Sequence, residues 1–438
     1  MNAIQTRTLS LRLAPAWIGA FVIAKVAYLL LVQDENSPTP IDELLCLLLL
    51  PTIALGLVKR WRLHASLLVP FGLFSLIGIV SALLSPYGGV PQPLASLYDA
   101  ALESKLLIVF LAFHIISSRS TAHRKDLAQI CWIFVLLGLV NAPFVVVDLF
   151  SSGTGIHGQA LVPRVGLFQP NGIFYSHTES VWVMLIASGC AYYLFLERKS
   201  PFRLLSLALI TSLVVLHFSA KETIALFCAA FFIINAGRGS AMRLMWGAGL
   251  LGLVLTVWNF TPVGAAVSGQ LSYYLGQGSE DMARTALTTT SVKIANDSFP
   301  LGSGAGTFAS APSYKLGYSD VYRVYGLDRV YGISQETGNF ITDVFWPKIL
   351  GQSGYIGLIA YLLFAFRLGL PAVRRYSSAR SHGSALASMA WIAAMVISLA
   401  SVPFNNEFFL IALGAFLAFA RTEPSPSATK EFSSHEGK

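Results

Sequence analysis

The stretch Leu127-Ala-Gln-Ile-Cys-Trp-Ile-Phe-Val-Leu-Leu-Gly-Leu-Val-Asn-Ala-Pro-Phe-Val-Val-Val-Asp-Leu149 follows directly on a basic segment, Arg119 to Lys125. It is apolar nearly throughout, and its length falls in the range of about 17–25 residues that crosses a hydrocarbon core of about 30 Å. Every backbone N–H and C=O in such a core has to be satisfied inside the segment, so the run reads as a helix. A transmembrane β-barrel would instead alternate over stretches of about 10 residues.

Blocks of the same kind recur along the chain. They lie at about 14–32, 41–58, 64–84, 103–117, 127–149, 173–196, 203–218, 222–236, 244–261, 344–366, 384–401 and 406–420. Composition agrees: the 438 residues are 55% hydrophobic and 12% charged, against about 25% charged in soluble domains. The mean hydropathy is +0.63. The expectation is an all-α polytopic membrane protein of about 12 transmembrane helices. Residues 1–421 form a single transmembrane domain, and 422–438, polar and rich in Pro and Ser, form a disordered cytoplasmic tail.

The net charge of +8 is sorted by side rather than spread as a nucleic-acid footprint. Alternate connections are basic: Lys59-Arg60-Trp61-Arg62, Arg119 to Lys125, Arg198-Lys199 with Arg203, Arg238 with Arg243, and Arg367 to Arg380. Basic loops stay on the cytoplasmic side. With Arg7 and Arg12 on that side too, both termini are cytoplasmic. Cys46, Cys131, Cys190 and Cys228 all lie in apolar runs without CxxC spacing, so neither a disulfide framework nor a metal site is indicated.

Two outer connections stand out, about 150–172 and 262–343. The second is long for a structureless loop and is expected to hold structure. Residues 280–296 read as a helix, with Glu280 and Asp281 suited to its N-terminus and Phe299-Pro300 ending it. The tract Pro300-Leu-Gly-Ser-Gly-Ala-Gly-Thr-Phe308 reads either as a turn or as an anion cradle through Gly302 and Gly304. It lacks the flanking signals of a dinucleotide or P-loop motif.

Candidate charged groups cluster in or beside these connections. Arg164 and Arg284 read as phosphate forks or as arginines snorkelling to the headgroups. Lys221, in the break Ser219-Ala-Lys-Glu222, reads as a functional cation or as the partner of Glu222. Glu179 lies inside a span near His177, and on a helix would share a face with Tyr175. Asp343 reads as a cap for the tenth span or as a general base at the membrane surface.

Four stretches, taken in order, resemble the superfamily of O-antigen ligases and Wzy-type polysaccharide polymerases. They are Arg164-Val-Gly-Leu-Phe-Gln-Pro-Asn171, Phe218-Ser-Ala-Lys-Glu-Thr223, Arg284 through Phe308, and Thr342 through Gly357. Two departures bear on the reading. Lys221 stands where the family has arginine, and Asp343 stands where ligases commonly have histidine, which favours the polymerase side. The resemblance implies a bacterial inner membrane and an undecaprenyl-diphosphate-linked oligosaccharide as substrate. It implies membrane lipid, a chain-length regulator and a flippase as partners, and no cofactor or nucleic acid. In that reading Arg164, Lys221, Arg284, Gly302 and Gly304 hold the diphosphate. Asp343 is the base, with Glu336 or His177 in reserve, and Arg284 acts at the reacting centre. Tyr314, Tyr318, Tyr322, Tyr325 and Tyr331 would stack on sugars or anchor at the interface. The alternatives are a ligase, which differs in acceptor, and a transporter or flippase. Transporters are commonly built from structural repeats, and no matching halves are seen here.

Overall fold

Among the described residues, the apolar blocks form helices, as backbone hydrogen bonding in hydrocarbon requires. The computed structural model describes residues 13–31, 41–120, 122–164, 167–236 and 283–423; side chains at 42, 57, 59–64 and 164 lie outside the description. The elements in chain order are α1 (Leu13–Leu31), α2 (Ile41–Leu84), α3 (Gln92–Ser117), α4 (His123–Leu149), β1 (Pro163–Arg164), β2 (Leu167–Phe168), α5 (His177–Glu197), α6 (Pro201–Leu216) and α7 (Ala220–Asn235). They continue with α8 (Ala283–Asp297), α9 (Pro312–Lys315), α10 (Asp320–Val324), α11 (Trp346–Ala379), α12 (His382–Ile397) and α13 (Glu407–Thr422).

Among the described residues, 6 helices are long and apolar enough to cross a membrane: α1, Ala65–Leu84 of α2, α3, α4, α5 and α11. Glu43–Gly56, α6 and α12 are shorter apolar helices. The chain is therefore a multi-pass membrane-embedded protein. The expected ninth span at 244–261, the start of the long loop with Glu280 and Asp281, the N-terminal arginines and the tail from 424 lie outside the described residues.

Residues 41–58 and 64–84, expected as two spans, are helical throughout as α2, 44 residues long. Nothing in Lys59-Arg60-Trp61-Arg62 stops a helix, since all four residues tolerate one. Its two halves contact different parts of the fold. Gly56 lies against Ile115 at the far end of α3, and Glu43 pairs with Lys105, 2.7 Å away. In the other half Ala82 meets Gly304, beside Gly306 and Ala95 at the start of α3.

The fourth span, expected from residue 103, begins at Gln92 instead. Asp99, Glu103 and Lys105 depress the hydropathy of this stretch, yet each is buried and paired within the bundle. At the other end, α13 reaches Thr422, and Ser381 Oγ donates to Glu423 at 2.6 Å.

Among the described residues, the basic connections after α3 and α5 meet the end of α11 and α13 at one face. His123 bonds Thr422 at 2.6 Å, Arg124 pairs with Glu197 at 3.7 Å, and His382 bonds Glu197 at 3.0 Å. The opposite face carries a cap formed by residues 283–344, with its own core of Leu287, Ile294, Phe308, Val321, Tyr322 and Ile333. The long loop thus holds structure, as its length implied, and the helix expected at 280–296 is α8.

A backbone seam joins cap and bundle. Gly354 leaves the helical conformation inside α11 (φ 63°, ψ −167°). That break frees carbonyls that an unbroken helix would use itself. Ser303 N–H donates to Gly351 O at 2.8 Å, Gly304 N–H to Gln352 O at 2.9 Å, and Ala305 N–H to Gly78 O at 3.0 Å. A Cβ at Gly304 (φ 106°) would strike the backbone of Ala82.

Candidate active site

Arg284 stands on the first turn of α8, facing the segment that leads into α11. That helix begins at Trp346 and has no side-chain cap. Asp343 is therefore not a cap, and its carboxylate is turned to the cap instead. Arg284 Nη2 donates to Asp343 Oδ2 at 2.8 Å, with the side chains 34% and 31% exposed. An ion pair this wet contributes about 0–1 kcal/mol to stability. Both groups are within reach of a ligand.

Lys221 joins them from the bundle. It lies on the first turn of α7, with Nζ 3.8 Å from Glu222 and 5.9 Å from the Trp182 ring centre. Glu222 is fully buried, and its oxygens accept from Trp182 Nε1 at 2.7 Å and from Ser219 Oγ. The local pair expected for Lys221 is thus present. Lys221 also sits close enough to Arg284 and Asp343 for the three charges to act on one another. Two cations and a carboxylate converge from α7, α8 and the approach to α11, positions far apart in sequence.

The loop bearing Arg164 is tied to the same region through its backbone. Arg164 pairs with Leu167 in the β1–β2 hairpin, and its side chain lies outside the described residues. Asp148 Oδ2 accepts from the N–H groups of Asn171 at 3.0 Å and Gly172 at 2.7 Å. Gln169 Nε2 donates to the carbonyl of His217 at 3.2 Å, linking the hairpin to the break that carries Lys221. His217 is itself fixed: Nδ1 lies 2.6 Å from Leu213 O, Nε2 lies 3.0 Å from Ser180 Oγ, and Asn141 Nδ2 donates to Ser180 at 2.9 Å. The Leu213 carbonyl can only accept, so Nδ1 carries the proton. Sequence reasoning passed over Asn141, Asp148 and His217, which sit in apolar runs with no local signal.

The other expected residues are placed differently. Gly302 and Gly304 lie in the buried seam, where the N–H of Gly304 is taken by Gln352 O. What the tract requires of its glycines is close backbone contact. His177 opens α5, its Nε2 3.3 Å from Thr178 Oγ1, and Glu336 stands exposed in the cap; neither takes part in the Arg284–Asp343 bond. Tyr175 does not share a helix face with Glu179, because Ser176 caps α5 in an extended conformation after it. Its hydroxyl donates instead to Leu29 O at 3.1 Å. Glu179 faces Lys25 and Glu407, themselves paired at 2.6 Å.

The loop tyrosines divide. Tyr314 and Tyr331 are exposed, while Tyr318 and Tyr322 belong to the cap core. Tyr318 donates to Ile333 O at 2.9 Å, and burial pushes its phenol up to about 12. The Tyr322 hydroxyl accepts from Ala309 N–H at 2.9 Å and lies 2.6 Å from Ser313 Oγ; burial raises it above the ordinary tyrosine range. Tyr325 links Tyr87, at 3.0 Å, to Asp297, at 2.9 Å.

A second charged group was not anticipated. Lys348 Nζ lies 2.9 Å from Asp99 and 2.5 Å from Glu103, and all three side chains are 3% exposed. Asp99 and Glu103 are spaced i and i+4 on α3, so they share a face.

Neither the family models nor the curated sequences compared with the chain match it.

Proposed function

We propose that this chain is a membrane glycosyltransferase that polymerises undecaprenyl-diphosphate-linked oligosaccharide repeat units into exopolysaccharide or O-antigen. The reaction runs on the periplasmic face of a bacterial inner membrane. One observation carries the reading: Arg284 and Asp343 share a partly exposed ion pair on the capped face, within charge range of Lys221. The order of motifs shared with the ligase and polymerase superfamily supports it.

The acceptor sugar hydroxyl attacks the anomeric carbon of the donor. A new C–O bond forms as the bond to the diphosphate oxygen breaks. The hydroxyl proton passes to Asp343, a carboxylate at hydrogen-bond reach acting as general base. Undecaprenyl diphosphate leaves with the bonding electrons, and Arg284 and Lys221 stabilise the growing negative charge in a site partly shielded from water. Arg164, on the tethered hairpin, is a third cation for the diphosphate.

Deleting the gene and resolving surface polysaccharide beside the lipid-linked pool tests the reading. Loss of long polymer with accumulation of single lipid-linked repeats is the expected result. Long lipid-linked polymer that fails to reach its acceptor would make the chain a ligase. No change in either would favour a transporter.

A further inference from the structure

Asp343 has to be held in place if it is to meet an acceptor hydroxyl, and the structure shows what holds it. The residues after it are packed on every side. Val344 is buried in the cap core. Phe345 is fully buried among Phe404, Trp346 and Tyr361, with ring centres 4.8, 5.1 and 5.4 Å away. Trp346 Nε1 donates to Ser398 Oγ at 2.9 Å. Apolar packing is non-directional, so these contacts resist removal of the segment more than they resist sliding or turning of it.

Direction comes from Lys348. It lies one helical turn past Phe345, and its ammonium is gripped from α3 by Asp99 and Glu103. On α11, the next turn donates Gln352 Nε2 to Phe308 O at 2.7 Å and receives the seam bonds from Ser303 and Gly304. The start of α11 is therefore pinned to the bundle by ions and to the cap by backbone and side-chain hydrogen bonds. Asp343 lies on the non-helical approach to this pinned end, which begins as a helix at Trp346.

We infer that Lys348, through its ion pairs with Asp99 and Glu103, is a positioning residue that sets Asp343 against Arg284 and the bound donor. This rests on the glycosyl-transfer reading above. It adds three residues that touch no substrate: Lys348 lies within the Thr342–Gly357 stretch but was given no role there, and Asp99 and Glu103 lie outside all four stretches.

Buried ions also stabilise, so the test separates placement from folding. Glu103→Gln leaves the cluster with a single ion pair and no net charge, so no unpaired ion stays buried. The fuller variant, Lys348→Met with Asp99→Asn and Glu103→Gln, removes all charge at once, a replacement that buried ion clusters often tolerate. Each full-length protein is assayed in membranes with lipid-linked repeat units extracted from the deletion strain. The expected result is a folded protein with donor KM changed less than about threefold. Its kcat falls about tenfold for Glu103→Gln and up to about a hundredfold for the triple variant, the scale of loss from misplacing a catalytic group by about 1 Å. Lys348→Arg, which keeps the charge, restores most of the rate lost in Lys348→Met. A kcat equal to wild type in Glu103→Gln, or in a folded triple variant, overturns the inference. Arg284→Ala and Asp343→Asn serve as controls in the same assay. If they are inactive while the Lys348 variants are not, only the positioning role fails. If they are fully active, the glycosyl-transfer reading fails with it.

Discussion

Two ionic groups flank the same short segment, and they differ mainly in their contact with water. The Arg284–Asp343 pair is about one-third exposed, whereas Lys348, Asp99 and Glu103 are 3% exposed. Water screens the first pair, so it adds little to stability and yields readily to another anion. The second cannot be opened without leaving charge in a medium that does not solvate it. Similar functional groups thus form a replaceable contact in one place and a permanent one in the other. In the proposed reaction, the difference would put the reacting groups where they can exchange partners and the groups that locate them where they cannot.

The comparison can be broken most directly at its buried side. Lys348→Met alone leaves two buried carboxylates facing each other. It is expected to cost about 3–5 kcal/mol, read as a large drop in thermal midpoint in detergent and in folded protein recovered from membranes. Arg284→Ala should lower polymer synthesis by about 10²–10³-fold, the usual loss on removing a donor to developing negative charge, while membrane content stays at wild type. Arg284→Lys should recover little of it if a two-pronged grip matters. Between the two groups lies the seam: Gly304→Ala forces a left-handed residue and a Cβ into the backbone of Ala82, expected to lower stability by about 1–3 kcal/mol. The smallest effect sharpens the contrast: Asp343→Asn should change stability by less than about 1 kcal/mol. A fall in thermal midpoint as large as that of Lys348→Met would remove the distinction.

Much of this arrangement was legible in the sequence, and the part that was not has a common cause. The runs ending at Leu31, Leu149 and Glu197 are helices because hydrocarbon leaves the backbone no alternative, and the extra length of the loop before α11 forecast a folded cap. Arg284, Lys221 and Asp343 were readable as candidates because charge beside apolar spans is costly and therefore conspicuous. Their pairing was not readable, since it joins positions 59 residues apart and more. Local reasoning favoured a helix cap for Asp343, where α11 has no side-chain cap, and left Gly304 open between a turn and an anion cradle, where its N–H meets a carbonyl of α11. It also started α3 too late: Asp99, Glu103 and Lys105 look like the end of a span until Lys348 and Glu43 are seen to meet them. Residues satisfied by distant partners leave no trace in their own neighbourhood.

The seam between cap and bundle has a consequence for how the protein is made. Ser303 and Gly304 find their acceptors on Gly351 and Gln352, which leave the ribosome later. Gly304 and Gly306 rest on Ala82 and Ala95, which emerged long before. Chains are synthesised at about 5–20 residues per second, so tens of seconds separate the arrival of the cap's floor from that of its last wall. A nascent chain cut short before α11 has Arg284 but lacks the carbonyls of Gly351 and Gln352 that anchor the cap. Assembly of the site thus doubles as a check that the late helix has been inserted.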